Sequence, residues 1–270
     1  MIPHITSMKG AYDIAGKTVV ITGGNGGIGL GIAKAMADCG ANIAIFCRNM
    51  DKAKNALEEL KSFNVKSKAY FCDILKIDNV RDAVDATCKE FDNIDILINN
   101  SGIGNKTKFL DMDPELEEWR QVVETDLSGM AHVTYEVGKR MRSAGKGGSV
   151  INITSNAGFI VNKGVTLSAY AAAKAGANSL TKTLAYELGE YNIRVNAIAP
   201  GYVHVGPLAD YSANPELGDL VNGLIREQQP LKRLVEAIEI GALAIYLASP
   251  AAAHITGQTI IIDGGYTLAY

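Results

Sequence analysis

The stretch Lys17–Gly29, KTVVITGGNGGIG, decides the fold of this chain. A run of β-branched residues ends at Thr22, five glycines follow between Gly23 and Gly29, and a helical pattern starts at Leu30. A strand, a tight glycine turn and a helix start together form a phosphate-binding cradle, because the first N–H groups of a helix lack partners within it and carry partial positive charge. The stretch therefore predicts a dinucleotide-binding βα unit.

The glycines of this stretch have different expected roles. Gly23 can take a positive φ, Gly27 leaves no Cβ between the main chain and a pyrophosphate, and Gly29 lets the helix pack close to the strand. An ordinary βα turn would also be glycine-rich, but an amphipathic helix and a second strand at the expected distance favour dinucleotide binding. The cofactor-binding residues that we assign to the turn are Gly23, Asn25, Gly27, Ile28 and Gly29.

Short apolar strands alternate with helical patterns along the rest of the chain. The further predicted strands are Asn42–Cys47, Lys66–Phe71, Asp95–Ile98, Ser149–Thr154, Arg194–Ile198 and Thr259–Ile262. This alternation predicts an α/β protein with a doubly wound parallel sheet and helices on both faces, that is, a Rossmann fold. We expect seven strands in the order 3-2-1-4-5-6-7, with the ligand at their carboxyl ends where the order reverses.

Composition narrows the functional classes. With 270 residues, of which 47% are hydrophobic and 20% charged, the chain predicts one domain spanning residues 1–270. A net charge of −3 gives no attraction to nucleic acid or to an anionic membrane, so we expect neither as a partner. The four cysteines have no zinc-ligand spacing, so no metal site is expected, and they are typical of a reducing compartment.

Two segments lie outside the regular pattern. Residues 1–14 predict an N-terminal extension without an apolar core, and no run of about 18 apolar residues occurs in the chain, so we expect a cytoplasmic protein without a membrane anchor. Residues 205–230 are rich in glycine and proline and follow a strand end, which predicts a substrate lid. A surface insertion without function is the alternative for the second segment.

The end of the second strand bears on which dinucleotide binds. An acidic residue there would hold the ribose 2′-hydroxyl of NAD, whereas an arginine accommodates a 2′-phosphate. This strand ends in Cys47, Arg48 and Asn49, and Arg48 can form paired, charge-assisted hydrogen bonds to a phosphate. We therefore expect NADP(H), with NAD(H) as the alternative, because Gly26 stands where many NADP-binding proteins have a basic residue.

One tyrosine–lysine pair has the setting of a catalytic site. Tyr170 and Lys174 are four residues apart and so share a helix face, and Ser155 ends the fifth strand fifteen residues before Tyr170. A phenol ionises near pH ~10, and a lysine ammonium within reach favours the phenolate. Tyr170 can therefore serve as a general acid in ketone reduction and as a base in alcohol oxidation, while Ser155 binds the substrate oxygen. Tyr135 with Lys139 has the same spacing but no serine at a suitable distance upstream.

These motifs together resemble the short-chain dehydrogenase/reductase family over about residues 15–265. TGxxxGxG at the first turn, NNSG at Asn99–Gly102, SAYAAAKAG around Tyr170 and NxxxPG ending at Gly201 are similar to the family's signatures. The resemblance implies that Lys174 also binds the nicotinamide ribose. Further cofactor contacts that it implies are Asp73, Ile74, Asn100, Gly102, Pro200, Gly201 and Val203. Asp73 could equally be the N-cap of the next helix.

The chain departs from the family pattern at three places. The interval from Ser155 to Tyr170 is two residues longer than usual, and Val205 replaces a frequent threonine. Asp126 stands where most relatives have an asparagine whose main-chain carbonyl holds a water that leads from the lysine to solvent. Asp126 keeps that carbonyl, so we include it as a fourth catalytic candidate, and its charge favours a protonated Lys174.

The leading functional hypothesis is an enzyme that interconverts a ketone and a secondary alcohol with NADP(H). We expect a polyol, sugar or sugar-acid substrate, with a 3-oxoacyl thioester or a steroid ketone as alternatives. The entrance of the substrate site, here called the polar mouth, is expected to be lined by Asn105, Asn162, Lys163 and His204. The apolar side chains expected to close over the site are Leu208, Tyr211, Leu217 and Leu220. A dinucleotide-sensing regulator without catalysis is the alternative from another class. By resemblance, the helices Pro114–Met141 and Ala169–Leu188 would pair in a homotetramer or homodimer.

Overall fold

A computed structural model describes residues 8, 10–105, 107–162, 167–206, 208–209, 223 and 225–269. Its central element is a seven-stranded sheet in the order β3-β2-β1-β4-β5-β6-β7, in which every neighbouring pair is parallel. The predicted fold class and strand order are confirmed. The strands are β1 Thr18–Thr22, β2 Asn42–Cys47, β3 Ser67–Phe71, β4 Ile96–Asn99, β5 Gly148–Ile153, β6 Ile193–Pro200 and β7 Thr259–Ile262.

Helices cover both faces of the sheet. They are α1 Gly27–Asp38, α2 Met50–Leu60, α3 Ile77–Phe91, α4 Glu117–Val123, α5 Gly129–Ala144, α6 Ser168–Leu188 and α7 Ala237–Ala248. Along β1, Val19 and Ile21 face a core shared with α1, α2 and α7, while Val20 faces a second core shared with α3, α5 and α6. This alternation explains why β1, β2 and β4 are mostly apolar, since both faces of these strands are buried.

A chain of buried polar side chains crosses the second core beneath the carboxyl edge of the sheet. Asn99 of β4 donates from Nδ2 to Asn152 of β5 at 2.9 Å and to the hydroxyl of Thr134 on α5 at 2.8 Å. Asn152 in turn donates to the hydroxyl of Thr181 on α6 at 2.9 Å. Because buried polar groups are costly unless they are paired, this chain fixes the register of two central strands against two helices.

Two of the sequence-based element predictions need correction. The predicted continuous helix Pro114–Met141 begins only at Glu117 and is divided by a π-helical segment, Glu124–Ser128. Asp73 is not a helix N-cap, because α3 begins at Ile77 after Lys76; the Asp73 carboxylate instead accepts the N–H of Leu75 at 3.2 Å. The carboxylate therefore closes a turn at the end of β3.

Parts of both irregular segments lie outside the described residues, namely residues 1–7 and 9 of the predicted extension and most of the predicted lid at 205–230. In the part of the chain that the structure does describe, no helix is both long and apolar enough to cross a bilayer.

Candidate active site

The glycine turn between β1 and α1 has the geometry that a phosphate needs. Gly23 has a φ of +65°, which side chains disfavour, and a Cβ on Gly29 would lie 2.4 Å from the carbonyl oxygen of Gly23. No side chain among the described residues caps the N-terminus of α1, so its first N–H groups stay available for an anion. The residues of the turn thus fit a dinucleotide pyrophosphate.

The end of β4 is tied directly to this turn. The hydroxyl of Thr22 accepts the N–H groups of Asn100 and Ser101 at 2.9 and 3.0 Å, and Asn100 Nδ2 donates to the carbonyl of Thr22 at 3.0 Å. The side chain of Asn100 therefore shapes the turn through the Thr22 carbonyl. Thr22 contributes two contacts that the sequence analysis did not foresee.

A cavity of about 480 Å³ extends from the turn across the carboxyl ends of β2, β3 and β4. The predicted cofactor residues that line it are Gly23, Asn25, Arg48, Asn49, Asp73, Ile74, Asn100 and Gly102. The predicted cofactor residues that do not line it are Gly27, Ile28, Gly29, Pro200, Gly201, Val203, Tyr170 and Lys174. The structure thus brings about half of the predicted set together in the place expected for the adenosine half of a dinucleotide.

Arg48 and Lys52 form a basic corner at one end of this cavity. Asn49 is the N-cap of α2, since its side chain accepts the Lys52 N–H at 2.9 Å, and its carbonyl accepts Asn25 Nδ2 at 3.1 Å. The capped first turn thus supplies Lys52 to the lining of the cavity that Arg48 also lines. The sequence analysis missed Lys52, although its position three residues after a good N-cap residue was the available signal.

Tyr170 and Lys174 lie on one face of α6, as their spacing predicts. The Lys174 ammonium lies 5.4 Å from the centroid of the Tyr170 ring and donates to the carbonyl of Ile153, the last residue of β5, at 3.0 Å. Ser155 follows two residues later, is buried, and its hydroxyl accepts the Ala157 N–H at 3.1 Å. The Ile153 contact thus joins the tyrosine–lysine pair to the strand end that carries Ser155.

The most informative contact of the site joins Lys174 to Asp126. Asp126 Oδ2 lies 3.0 Å from Lys174 Nζ, and the two side chains are only 0% and 4% exposed. Asp126 Oδ1 accepts the N–H of Ile103 at 2.8 Å. Asp126 lies in the π-helical segment, and such segments are often found at functional sites. A main-chain role and an effect of its charge on Lys174 were predicted for Asp126, and the structure brings its carboxylate into direct contact with the ammonium.

Burial and charge act against each other in this pair. Burial raises the pKa of the Asp126 carboxyl, and the Lys174 ammonium and the Ile103 N–H oppose that rise. Burial alone would lower the pKa of Lys174, but the facing Tyr170 oxygen and the Asp126 carboxylate outweigh it, so that the pKa of Lys174 is raised. The lysine is therefore held as a cation.

The second tyrosine–lysine pair provides an internal comparison. Lys139 Nζ lies 5.1 Å from the centroid of the Tyr135 ring, close to the separation in the first pair. However, Tyr135 is 61% exposed, and the Lys139 ammonium, itself half-exposed, pairs with Glu136 of the same helix. Burial, the strand carbonyl and the neighbouring serine distinguish Tyr170, not the ring contact itself.

The segment after β6 closes the other side of the glycine turn. Gly201 donates its N–H to Ile262 at 3.0 Å, and a Cβ there would lie 2.6 Å from Cβ of Asp263. The bridge between Val203 and Val235 uses the Tyr202 carbonyl and the His204 N–H, and so does not engage the N–H of Val203. A Cβ on Gly27 would be 4.0 Å from the Val205 side chain, which places this segment beside the turn.

Three of the four residues predicted for the polar mouth are described. Asn105 is buried and its Oδ1 accepts the Tyr170 N–H at 3.2 Å, whereas His204 is more exposed and its ring bonds to Glu236 at 3.0 Å. Asn162 is buried and lines an apolar cavity of about 320 Å³ together with Phe109, Ile160 and Leu167. Leu208, which was predicted to close over the site, is described and half-buried. The remaining predicted residues, Lys163, Tyr211, Leu217 and Leu220, lie outside the described residues.

Comparison with known proteins agrees with this geometry over nearly the whole chain. A family model described as enoyl-(acyl carrier protein) reductase matches residues 23–267. The chain is 36% identical to the 3-oxoacyl-[acyl-carrier-protein] reductase FabG of Staphylococcus epidermidis over 250 residues, which cover 92% of this chain and 98% of the relative. It is 34% identical to the NADP-dependent mannitol dehydrogenase of Alternaria alternata, with 98% and 97% covered.

A solved structure shares the fold at similar identity. It is a gluconate 5-dehydrogenase from Burkholderia cenocepacia in complex with NADP and tartrate, which superposes with a TM-score of 0.86 at 30% identity and covers 97% of this chain and 99% of its own.

A substitution at Gly102 tests how tightly the buried ion pair of Asp126 and Lys174 is enclosed. A Cβ there would lie 2.7 Å from Asp126 Oδ2 and 3.3 Å from Lys174 Nζ. We therefore expect Gly102→Ala to lower the free energy of unfolding by roughly 1–3 kcal/mol, because the buried charges must move apart. The matched control is Gly104→Ala, where a Cβ meets nothing within 4 Å, and a change within about 0.5 kcal/mol is expected. Urea denaturation measures both; equal losses would contradict the close enclosure.

Proposed function

This chain belongs to the short-chain dehydrogenase/reductase family, and from that premise we propose that it interconverts a ketone and a secondary alcohol with NADP(H) as the preferred cofactor. The observation that carries the proposal is the buried Lys174 ammonium beside the Tyr170 ring and the β5 end that bears Ser155. The bound dinucleotide supplies or accepts the hydride.

Tyr170 performs the proton transfer in this proposal. In reduction its phenol gives a proton to the substrate oxygen, and in oxidation its phenolate takes the proton from the alcohol. The Lys174 ammonium, 5.4 Å from the ring centroid, stabilises the phenolate without having to donate a proton itself. The Ser155 hydroxyl binds the same substrate oxygen as negative charge develops on it, which stabilises the transition state more than the ground state.

A preference for NADP(H) is supported by the basic corner at the end of β2. Arg48 and Lys52 both line the cavity there, and the strand ends in Cys47 where an NAD-binding relative would have a carboxylate. A phosphate on the ribose would therefore meet two cations and no acid from β2. The NADP-dependent mannitol dehydrogenase and the NADP-bound gluconate 5-dehydrogenase are relatives with the same cofactor.

A polyol, sugar or sugar-acid substrate is the class that we propose first. The buried Asn105 and Asn162 place amide groups next to Tyr170 and next to the adjoining cavity, where hydroxyl groups of a substrate need partners. Two of the similar proteins described above act on mannitol and gluconate, as their names state. Of the two, Asn162 has an Oδ1 that is buried without a hydrogen-bond partner among the described residues, and the cost of leaving it so favours hydroxylated substrates over apolar ones.

A second candidate, a 3-oxoacyl thioester or a steroid ketone, is favoured by a different observation. The cavity of about 320 Å³ next to α6 is lined mostly by apolar side chains, including Phe109, Ile160 and Val161. An acyl chain or a fused ring system would bury that surface. The similar 3-oxoacyl-[acyl-carrier-protein] reductase acts on such a thioester, as its name states.

The substrate class is tested with purified protein and a panel of ketones. Oxidation of NADPH is followed by its absorbance with a ketose, a keto-sugar acid, a 3-oxoacyl thioester and a steroid ketone. The highest kcat/KM with a ketose or keto-sugar acid supports the first class, and the highest value with the thioester or steroid supports the second. Dinucleotide binding without turnover of any ketone would instead indicate a dinucleotide-sensing regulator that has no catalytic activity.

We further propose that the protein forms a homotetramer or homodimer through α5 and α6. Tyr135 and Tyr186 are large and exposed on these two helices, which is consistent with a surface that pairs with a second copy. Sedimentation at micromolar concentration tests this, and a monomer would reject it.

Replacement of Tyr170 by phenylalanine tests the proton-transfer role. We expect Tyr170→Phe to lower kcat by about 10²- to 10⁴-fold and to affect dinucleotide binding far less, because only the hydroxyl is lost. Tyr135→Phe is the matched control, since it removes the same hydroxyl from a pair of the same spacing and should keep full activity. Steady-state kinetics with the best ketone measure both variants. Turnover of Tyr170→Phe within twofold of the unmodified protein would refute the role.

A charge reversal at Arg48 tests the cofactor preference. We expect Arg48→Asp to weaken NADP(H) binding by roughly 10- to 100-fold, because a charge-assisted contact to the 2′-phosphate is replaced by repulsion. NAD(H) binding should change far less. Lys54→Asp makes the same charge change on α2 at a residue paired with Asp51 and outside the cavity, and should leave the selectivity intact. Fluorescence titration with NADPH and with NADH measures the selectivity. Equal losses of affinity for the two dinucleotides in Arg48→Asp would contradict the proposed role of Arg48 in the preference for NADP(H).

A further inference from the structure

The carboxylate of Asp126 changes the charge of the catalytic centre. Its Oδ2 lies 3.0 Å from the Lys174 ammonium, with both side chains almost fully enclosed. A lone ammonium would present a full positive charge to the Tyr170 ring. The ammonium and carboxylate together present a much smaller field, because the two charges cancel at a distance.

Three features of the structure hold the Asp126 carboxylate in this position. The Ile103 N–H donates to Oδ1 at 2.8 Å, the π-helical segment directs residue 126 inward, and Gly102 leaves the space that Oδ2 occupies. Lys174 is also held by the Ile153 carbonyl at 3.0 Å. The pair is therefore built into the fold from four different segments of the chain.

The other charged groups on the packed elements do not face this pair. On α4, Glu117 pairs with Arg120 and Glu118 accepts the Thr107 N–H, while Glu124 of the π-helical segment is exposed. On β6, Arg194 donates to main-chain carbonyls, among them that of Ala248. Within the described residues, the charges that act on Lys174 come from Tyr170 and Asp126.

We propose that Asp126 is a positioning residue that acts as a resident counter-ion for Lys174 and so weakens the field that favours the Tyr170 phenolate, which favours ketone reduction over alcohol oxidation. The inference rests on the proposed function for its catalytic consequence. Its electrostatic part concerns the protein alone and can be measured without turnover.

Asp126→Asn tests the counter-ion directly, because the amide keeps the shape and can still accept the Ile103 N–H. Removal of the negative charge leaves the ammonium uncompensated, so the Tyr170 phenolate should form at a pH about one unit lower. Tyrosine labelled with ¹³C at Cζ reports this ionisation by NMR in the protein without ligand, and Tyr170→Phe assigns its resonance. Glu124→Gln is the matched control, since it removes one negative charge from the same segment at an exposed position.

The proposal predicts a lower pH of ionisation in Asp126→Asn and an unchanged one in Glu124→Gln. An ionisation of Tyr170 that does not move, or that moves to higher pH, overturns it. If Asp126→Asn does not fold, Asp126→Ser, which is smaller and equally uncharged, is measured in the same way.

Kinetics then separate this inference from the proposed function. In Asp126→Asn, the alkaline decline of ketone reduction should start about one pH unit lower, and alcohol oxidation at neutral pH should become faster relative to reduction. If the Tyr170 ionisation shifts in Asp126→Asn but the protein turns over no ketone, the proposed function is rejected and the counter-ion role of Asp126 is supported. If the protein turns over a ketone but the Tyr170 ionisation does not shift in Asp126→Asn, only the counter-ion role of Asp126 is rejected.

Discussion

The contact on which the active site depends is the one between the Lys174 ammonium and the end of β5. The ammonium donates to the Ile153 carbonyl at 3.0 Å, and this bond ties the part of α6 that carries Tyr170 to the end of the strand that leads to Ser155. Because parallel strands end at one edge of the sheet, the same edge also presents the glycine turn and the cavity beside it. Proton donor and cofactor cavity are therefore neighbours as a consequence of topology.

Most of this arrangement could be predicted from the sequence because the signals are local. The glycine turn, the apolar strands and the spacing of Tyr170 and Lys174 each involve residues within one or two elements, and the period of a helix or strand fixes their mutual positions. Strand order followed from the alternation of strands with helices and from the handedness of their crossovers.

The features that the sequence did not reveal depend on contacts between distant segments. The effect of the Asp126 charge on Lys174 was expected, but the direct contact needs a π-helical segment, a glycine at position 102 and a helix that begins more than forty residues later. The chain of amides through Asn99 and Asn152 likewise joins four elements. No periodicity encodes such contacts, because each depends on how finished elements pack together.

A crystal structure with the reduced dinucleotide and an unreactive alcohol tests the central claim most directly. The claim is that one phenol, polarised by a neighbouring ammonium, exchanges the proton with the substrate. The account predicts that the hydroxyls of Tyr170 and Ser155 both lie within about 3 Å of the same alcohol oxygen, on the side of the nicotinamide ring. A Tyr170 hydroxyl directed away from that ring, with the alcohol oxygen bound elsewhere, would contradict it.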